Sequence, residues 1–94
     1  MAAARHTVMI DDERVVVNRF DFAPGDETGH HVHGLAYVIV PLTDGQVRVV
    51  ADDGSESVSQ MRGGNPYSRP AGVSHNVINA GKSSLSFLEI ELKT

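Results

Sequence analysis

The sequence predicts an all-β protein, an antiparallel sandwich or barrel of about eight short strands. Three observations support this fold class. Short runs rich in Val, Ile and Phe recur along the chain, turn residues separate them, and no window of helical length keeps a 3.6-residue apolar stripe. The chain has 94 residues and is 40% hydrophobic. This is enough for one modest core, so we expect one domain over residues 1–94.

In the N-terminal half, apolar and β-branched residues predict four strands. The segment 14–22 places Phe20 and Phe22 on one face with a polar residue between them, as a half-buried strand does. The apolar run 35–40 predicts a strand that is buried on both faces. A turn is expected where Pro24 stands before a glycine. These four predicted strands cover residues 7–10, 14–22, 28–33 and 35–40.

In the C-terminal half, the turn signals are stronger than the strand signals. Asp-Gly pairs that begin at Asp44 and Asp53 predict hairpin turns. Between these turns, Val47 and Val49 alternate with polar residues, and the strand that follows is a weak one. The four predicted strands of this half cover residues 46–51, 56–61, 75–79 and 85–92.

The composition argues against several partners. The net charge is −4 and the eight Lys and Arg residues are scattered, so we expect no nucleic acid partner. There is no Cys, which excludes disulfides and thiolate metal sites. No apolar run is long enough for a signal peptide or a membrane span, so we expect a cytoplasmic protein without a membrane partner. The apolar segments 7–10 and 14–20 are expected to form a sheet edge that pairs in a homodimer.

Three histidines carry the strongest functional signal. His31 and His33 stand two residues apart on a predicted strand, so both side chains leave the same face. His75 begins a later strand, from which a third imidazole could complete one face of a metal coordination sphere. His30 points to the opposite face, and we interpret it as structural. The alternative is that the three histidines line the mouth of a barrel that holds no metal.

The segments around these histidines resemble the two motifs of the cupin superfamily, which are small jelly-roll β-barrels. The first motif, over residues 25–45, matches at Gly25, His31, His33 and Gly45. The second motif, over residues 64–79, matches at Gly64, Pro70, Gly72, His75 and Asn79. The resemblance implies a single-domain cupin jelly-roll β-barrel with His31, His33 and His75 as ligands of one divalent metal.

The chain departs from the cupin pattern at the Glu of the first motif. Counting back from Gly45 puts Val38 in this position, whereas counting on from His33 puts Tyr37 there. Neither residue is a carboxylate, so the resemblance implies a site held by three histidines alone, as in small single-domain bacterial cupins. Tyr37 is a candidate proton donor at the metal, although on the count from Gly45 it points away. Asn79 is expected to satisfy backbone groups.

Three neutral imidazoles leave the charge of a divalent ion uncompensated, so the site favours a small anionic ligand. Imidazole suits several metals, and Fe, Zn, Ni and Mn all remain candidates. The favoured function is a metalloenzyme that acts on a small organic anion, with Fe(II) chemistry like that of three-His cupin dioxygenases. Zn- or Mn-type lyase or isomerase chemistry is the alternative within this class. A non-catalytic cupin module that binds a small ligand is the alternative from another class.

Two arginines are candidates for binding a substrate carboxylate, since a guanidinium can donate two parallel hydrogen bonds to it. Arg48 lies on the predicted strand 46–51, and Arg69 comes just before the turn that leads to His75. Each could equally be a solvated surface charge. The interior is expected to be apolar, with contributions from Val38, Val40, Leu42, Val77 and Phe87.

Overall fold

The computed structural model describes residues 2–94 and confirms an all-β fold made of antiparallel sheets. The strands are β1 Arg5–Asp11, β2 Val15–Phe22, β3 His31–Val32, β4 Tyr37–Pro41, β5 Gly45–Ala51, β6 Glu56–Met61, β7 Tyr67–Arg69, β8 Ser74–Asn79 and β9 Leu85–Leu92. Over these residues the chain forms no helix that is long and apolar enough to cross a membrane.

The strands form two sheets, which do not close into a barrel. The larger sheet has the order β1-β2-β9-β4-β7 and the smaller one the order β3-β8-β5-β6. Two parts of the prediction are therefore corrected, the closed barrel and the number of strands. The additional strand is β7, which has only three residues and is too short to show as a pattern. The edge strands β3 and β7 are short, with two and three residues, and neither pairs with a strand of the other sheet.

An apolar core fills the space between the sheets. Phe22, Val47 and Leu85 are each only 1% exposed. On the larger sheet Phe20 lies opposite Phe87, and Phe22 lies opposite Leu85. The Phe22 and Phe87 rings pack with their centroids 5.4 Å apart. Directly opposed aromatic and aliphatic side chains of this kind stabilise antiparallel pairs, so β2 and β9 form the rigid centre of the larger sheet.

The strand β4 is buried on one face and not on both. Tyr37 and Ile39 are buried, whereas Val38 and Val40 are only half-buried. The pairing with β9 places Ile39 opposite the buried Glu89. The interior face of β4 therefore carries Tyr37 and Ile39, and the prediction that Val38 and Val40 line the interior is wrong.

Glycine is required at two positions of the cupin motifs, for two different structural reasons. A Cβ at Gly45 would collide with the buried side chain of Leu85, so a larger residue does not fit at the start of β5. Gly72 has a φ of 96° in the turn that precedes β8, a conformation that side chains rarely allow. Gly72 and Val73 also hold the histidine segment, because the Gly72 N–H donates to the His33 carbonyl at 2.8 Å and the His33 N–H donates to the Val73 carbonyl at 2.8 Å.

Asn79 ends β8 as a buried structural residue, as predicted. It is 2% exposed. Its side-chain amide donates to the Ser83 carbonyl at 2.9 Å and to the Phe22 carbonyl at 3.4 Å. Its side-chain oxygen accepts from the Gly81 N–H at 3.0 Å. The side chain therefore ties the end of β8 to the β8–β9 turn and to β2.

The strand β1 forms the exposed edge of the larger sheet. All seven of its residues are exposed, and Val8, Met9 and Ile10 are 55%, 55% and 49% exposed. Within residues 2–94, β1 pairs only with β2, so its other edge keeps free backbone groups. A long exposed edge strand with apolar side chains is a typical surface for pairing with a second chain.

Candidate metal centre

Pairing of the short strand β3 with β8 brings the three histidines together. His31 lies directly opposite His75 in this pair. His33 lies one residue beyond β3, and its side chain nevertheless turns toward the other two. The Nε2 atoms of His31 and His33 are 2.9 Å apart, and those of His33 and His75 are 3.2 Å apart. Three imidazole nitrogens thus converge on one point from two adjacent segments.

The spacing of these nitrogens fits one metal ion. With metal–nitrogen bonds of about 2.1 Å, two ligand nitrogens lie about 3.0 Å apart at a right angle and about 3.4 Å apart at a tetrahedral angle. Two of the separations between Nε2 atoms, 2.9 and 3.2 Å, agree with this range, and all three ligand nitrogens lie within 4.8 Å of one another. Among the described residues no carboxylate joins the cluster, which consists of His31, His33 and His75. The donor set is therefore three imidazoles.

Hydrogen bonding sets the tautomer of His31. Its Nδ1 lies 2.8 Å from the Gly29 carbonyl oxygen, which can only accept. The ring proton therefore belongs on Nδ1, and Nε2 keeps a free lone pair that points toward the other histidines. The Thr28 hydroxyl lies 3.3 Å from the same Nδ1 and donates to the same carbonyl at 2.9 Å. This outer contact holds the ring in an orientation suitable for a metal ligand.

Burial keeps two of the three imidazoles neutral. Burial, with the neighbouring His31 as the second cause, lowers the pKa of His33 to about 4. Burial is also the first cause for His75, followed by His31 and His33, and its pKa is again about 4. The neutral imidazole is the form that binds a metal. At neutral pH no proton has to leave either ring before it can bind.

Tyr37 lies beside the cluster, and Val38 does not. The Tyr37 ring stacks on the His33 ring with the centroids 3.8 Å apart and an interplanar angle of 17°. The motif spacing counted from His33, which puts Tyr37 in the position of the motif Glu, therefore predicted correctly which residue faces the histidines. The count from Gly45 failed because the segment between β4 and β5 is one residue longer than the motif spacing assumes. Burial, and then the charge of Glu89, raise the pKa of Tyr37 to about 12, so its hydroxyl keeps its proton.

The histidine cluster forms part of the wall of a cavity of about 340 Å³ between the two sheets. Val77 and Phe87 line this cavity, as the sequence predicted, together with Val47. Val38, Val40 and Leu42 are not among its lining residues. Exposed residues on the edge strands β6 and β7, including Ser57 and Arg69, also line the cavity. The cavity therefore opens to solvent between these two edges.

The structure brings Arg69 to the cavity and leaves Arg48 outside it. The Arg69 guanidinium lies 4.7 Å from the centre of the Tyr67 ring, and both residues line the cavity. Arg48 alternates with two valines that face the cavity, so its own side chain faces away. Its Nε lies 3.3 Å from a carboxylate oxygen of Glu56, without the alignment of a hydrogen bond. Arg69 is therefore the arginine available to a ligand.

Glu89 is a buried carboxylate of the cavity wall that the sequence reasoning missed. It is 7% exposed, and the Asn18 amide lies 3.4 Å from one of its oxygens. Burial, and then the neighbouring Glu91, raise the pKa of Glu89 to about 7. One signal could have found it. Leu85, Phe87 and Glu89 are spaced two residues apart on β9, so their side chains leave the same face of the sheet. Since the two apolar residues predict that this face lies in the core, Glu89 is expected there too.

Solved structures show the family to which the fold and the site point. The chain is 45% identical to a cupin domain from Bordetella pertussis, with a TM-score of 0.94 over 99% of this chain and 96% of that one. An RmlC-like cupin from Methanocaldococcus jannaschii, with a double-stranded β-helix fold, gives a TM-score of 0.79 at 15% identity over 98% and 82% of the two chains. No protein-family model matches the sequence. The chain belongs to the cupin superfamily.

A relative within this superfamily has a functional name. The chain is 46% identical over 87 residues to the beta-alanine degradation protein BauB of Pseudomonas aeruginosa, which covers 93% of this chain and 90% of that protein. The polyketide cyclase RemF of Streptomyces resistomycificus is 21% identical, with a TM-score of 0.74 over 99% of this chain and 69% of that one. At this lower identity the likeness shows the fold alone, because one fold carries many chemistries.

Proposed function

We propose that this protein is a metal-dependent enzyme that acts on a small organic anion at a centre held by His31, His33 and His75. The convergence of the three Nε2 atoms, at separations of 2.9 and 3.2 Å, carries the proposal. The same nitrogens lie within hydrogen-bond distance of one another in the metal-free chain, and one divalent ion bound by all three would replace these contacts. Iron, zinc, nickel and manganese are the candidate metals, since imidazole does not discriminate strongly between them.

A divalent ion bound there would supply a positive charge that the imidazoles do not offset, and open positions for an anionic ligand. The residues of the chain supply the surroundings. Tyr37 keeps its proton and its ring lies against His33, which supports the proposal that it donates a hydrogen bond to a ligand of the metal. Val47, Val77 and Phe87 give the cavity an apolar wall. Arg69 offers a guanidinium to a substrate carboxylate.

Within this class we favour Fe(II)-dependent dioxygenation over Zn- or Mn-type lyase or isomerase chemistry. The three-histidine set without a carboxylate resembles that of three-His cupin dioxygenases. The name of the Pseudomonas aeruginosa relative concerns the degradation of beta-alanine. For this chain we propose a substrate that is a small carboxylate of similar size to beta-alanine. We further propose that the protein is cytoplasmic, consists of one cupin domain and forms a homodimer.

The apolar part of the cavity favours a second candidate function, a module that binds a small ligand without turnover. Val47, Val49, Val77 and Phe87 give the cavity a wall that could hold a ligand without metal chemistry. The two functions differ in their need for the metal. An enzyme requires the metal for turnover, whereas a binding module with this wall keeps its ligand affinity when the metal is removed.

Turnover by defined metal forms tests the proposal. Metal-free protein is loaded under argon with Fe(II), Zn(II) or Mn(II) and mixed with three- to five-carbon acids, diketones and thiols, and O2 uptake and products are measured. We expect O2 uptake with the Fe(II) form and none with the Zn(II) form or with His33→Ala. Product without O2 uptake in the Zn(II) or Mn(II) form supports the lyase or isomerase alternative. Equal ligand affinity with and without metal, and no turnover, contradicts the enzyme.

A further inference from the structure

Two side chains of opposite charge line the same cavity without forming an ion pair. Glu89 lies on β9 and is buried, and Arg69 lies on β7 and is exposed near the opening. Within the described part of the chain, Glu89 has no Lys, Arg or His side chain within 4.0 Å, and Arg69 has no carboxylate within 4.0 Å. The two charges are therefore available to a ligand in the cavity.

The surroundings of Glu89 leave its negative charge poorly compensated. Asn18 donates to it only at 3.4 Å, and the same amide donates to Glu91 at the shorter distance of 3.1 Å. Glu91 adds a second negative charge, and Tyr37 is neutral on the neighbouring strand. His6 bonds to Asn18 at 2.7 Å, and it has no contact with the Glu89 carboxylate within 4.0 Å. A buried carboxylate with such partners is costly for the fold, and a cationic group in the cavity would offset that cost.

The surroundings of Arg69 prepare it for a carboxylate. Its guanidinium lies 4.7 Å from the centroid of the Tyr67 ring, which holds the planar group at the cavity wall. One of its N–H groups donates to the Ser68 carbonyl at 3.1 Å. A guanidinium has five N–H donors in a fixed plane, so others remain for a pair of carboxylate oxygens.

We propose that the cavity recognises a short zwitterionic amino acid, whose carboxylate binds Arg69 and whose ammonium group binds Glu89. A cavity of about 340 Å³ has room for a molecule of this size. This inference deepens the proposed function and rests on it, since it names the charge pattern of the small carboxylate that is proposed as the substrate.

Binding of matched probes tests the inference. The probes are 3-aminopropanoate, propanoate, which lacks the ammonium group, and propylamine, which lacks the carboxylate. Titration calorimetry is run on metal-free and zinc-loaded protein near pH 8, where Glu89 is ionised because its pKa is about 7. We expect 3-aminopropanoate to bind at least about tenfold more tightly than either analogue. A series of amino acids of two to five carbons then shows which length spans the two charges.

Three variants assign the effect to its residues. Glu89→Gln should remove the preference for 3-aminopropanoate over propanoate, because the carboxylate that meets the ammonium group is lost. Arg69→Gln should remove the preference over propylamine. Arg48→Gln is the matched control, since Arg48 does not line the cavity, and it should leave all three affinities unchanged. Circular dichroism confirms that each variant is folded.

Several outcomes overturn the inference. They are propanoate binding as tightly as 3-aminopropanoate in the wild type, and no measurable binding of any amino acid of the series at about 10 mM. One further outcome is that Glu89→Gln loses zinc without any change in probe preference. This would show that the charge of Glu89 balances that of the metal and does not bind an ammonium group. Zinc content of the same samples separates the two proposals. Protein that binds no zinc contradicts the proposed metal centre, whereas zinc-loaded protein without the preference contradicts the zwitterion alone.

Discussion

Buried polar groups have different partners at the two ends of the sandwich. At one end, which we call the asparagine end, Asn79 makes three hydrogen bonds to backbone groups at 2.9 to 3.4 Å. At the other end, the histidine end, three imidazoles face one another and Glu89 has no cationic partner among the described residues. The strand β8 joins the two ends, with His75 and Asn79 about 13 Å apart along it.

The difference separates what stabilises this fold from what is available to a ligand. A buried polar group with complete hydrogen bonds costs little and becomes expensive only when a partner is removed. Convergent imidazoles, and a buried carboxylate without a cationic partner, can instead bind a metal or a charged ligand. Substitutions at the asparagine end should therefore lower stability and leave metal binding intact. Substitutions at the histidine end should do the reverse.

The largest expected loss of stability is that of Asn79→Ala. It leaves the Gly81 N–H and the carbonyls of Phe22 and Ser83 without their partner inside the protein. We expect the free energy of unfolding to fall by about 3 kcal/mol, measured by urea titration with circular dichroism. Asn65→Ala, at an exposed turn, is the control. A loss below about 0.5 kcal/mol would show that Asn79 is not a structural residue.

Gly45→Ala should have the next largest effect. The added methyl group would collide with Leu85, which is 1% exposed and has little room to move. We expect a loss of about 2 kcal/mol from overpacking, with metal content unchanged. In Gly34→Ala the new methyl group meets open space, so this variant should unfold like the wild type. Equal stability of both variants would contradict the packing reason for the motif glycine.

Glu89→Gln should stabilise the metal-free protein. The folded-state pKa of Glu89 is about 7, raised from 4.5 mainly by burial. The folded state therefore holds this proton more tightly than the unfolded state, and stability from this group falls as the pH rises from 4.5 to 7. At about pH 8 the amide avoids this cost, and we expect a gain of about 1–2 kcal/mol. Near pH 4.5 the gain should vanish. An equal gain at both pH values would contradict burial of the charge as its cause.

The smallest expected change in folding stability belongs to the exposed edge. Val8→Asp changes a residue of β1 that is 55% exposed, so the stability of the chain should change by no more than about 0.5 kcal/mol. If the β1 edge forms the predicted homodimer, the same variant should be a monomer by light scattering where the wild type is a dimer. If both the wild type and Val8→Asp are dimers, the interface lies on another surface.

The sequence was sufficient for the elements that depend on local spacing. The separation of His31 and His33 by two residues, and the turn at Gly72 before His75, predicted the cluster that β3 and β8 bring together. The fold class followed from strand periodicity and turn residues. The choice between a sandwich and a closed barrel did not, because whether the edges of two sheets meet depends on tertiary geometry and not on local pattern.

The rest of the site depends on which face of the sheet each side chain points to. One residue more or less in a turn reverses this for the whole strand. For this reason the sequence left open whether Tyr37 or Val38 faces the histidines. Glu89 was missed because a charged residue in a strand is usually exposed, and only its shared parity with Phe87 indicated otherwise. Arg48 and Arg69 could not be separated from the sequence, since which face of each strand meets the cavity is decided by cross-strand pairing.

Metal content tests the central claim most directly. Untagged protein, purified without added metal or nickel resin, is compared by plasma mass spectrometry with His31→Ala/His75→Ala and with the control His6→Ala/His30→Ala. The chain has five histidines, and the control removes the two that lie outside the cluster. We predict about one equivalent of a single transition metal in the wild type and the control, and none in the cluster variant. Less than about a tenth of an equivalent in the wild type, without recovery on reconstitution, would contradict the metal centre.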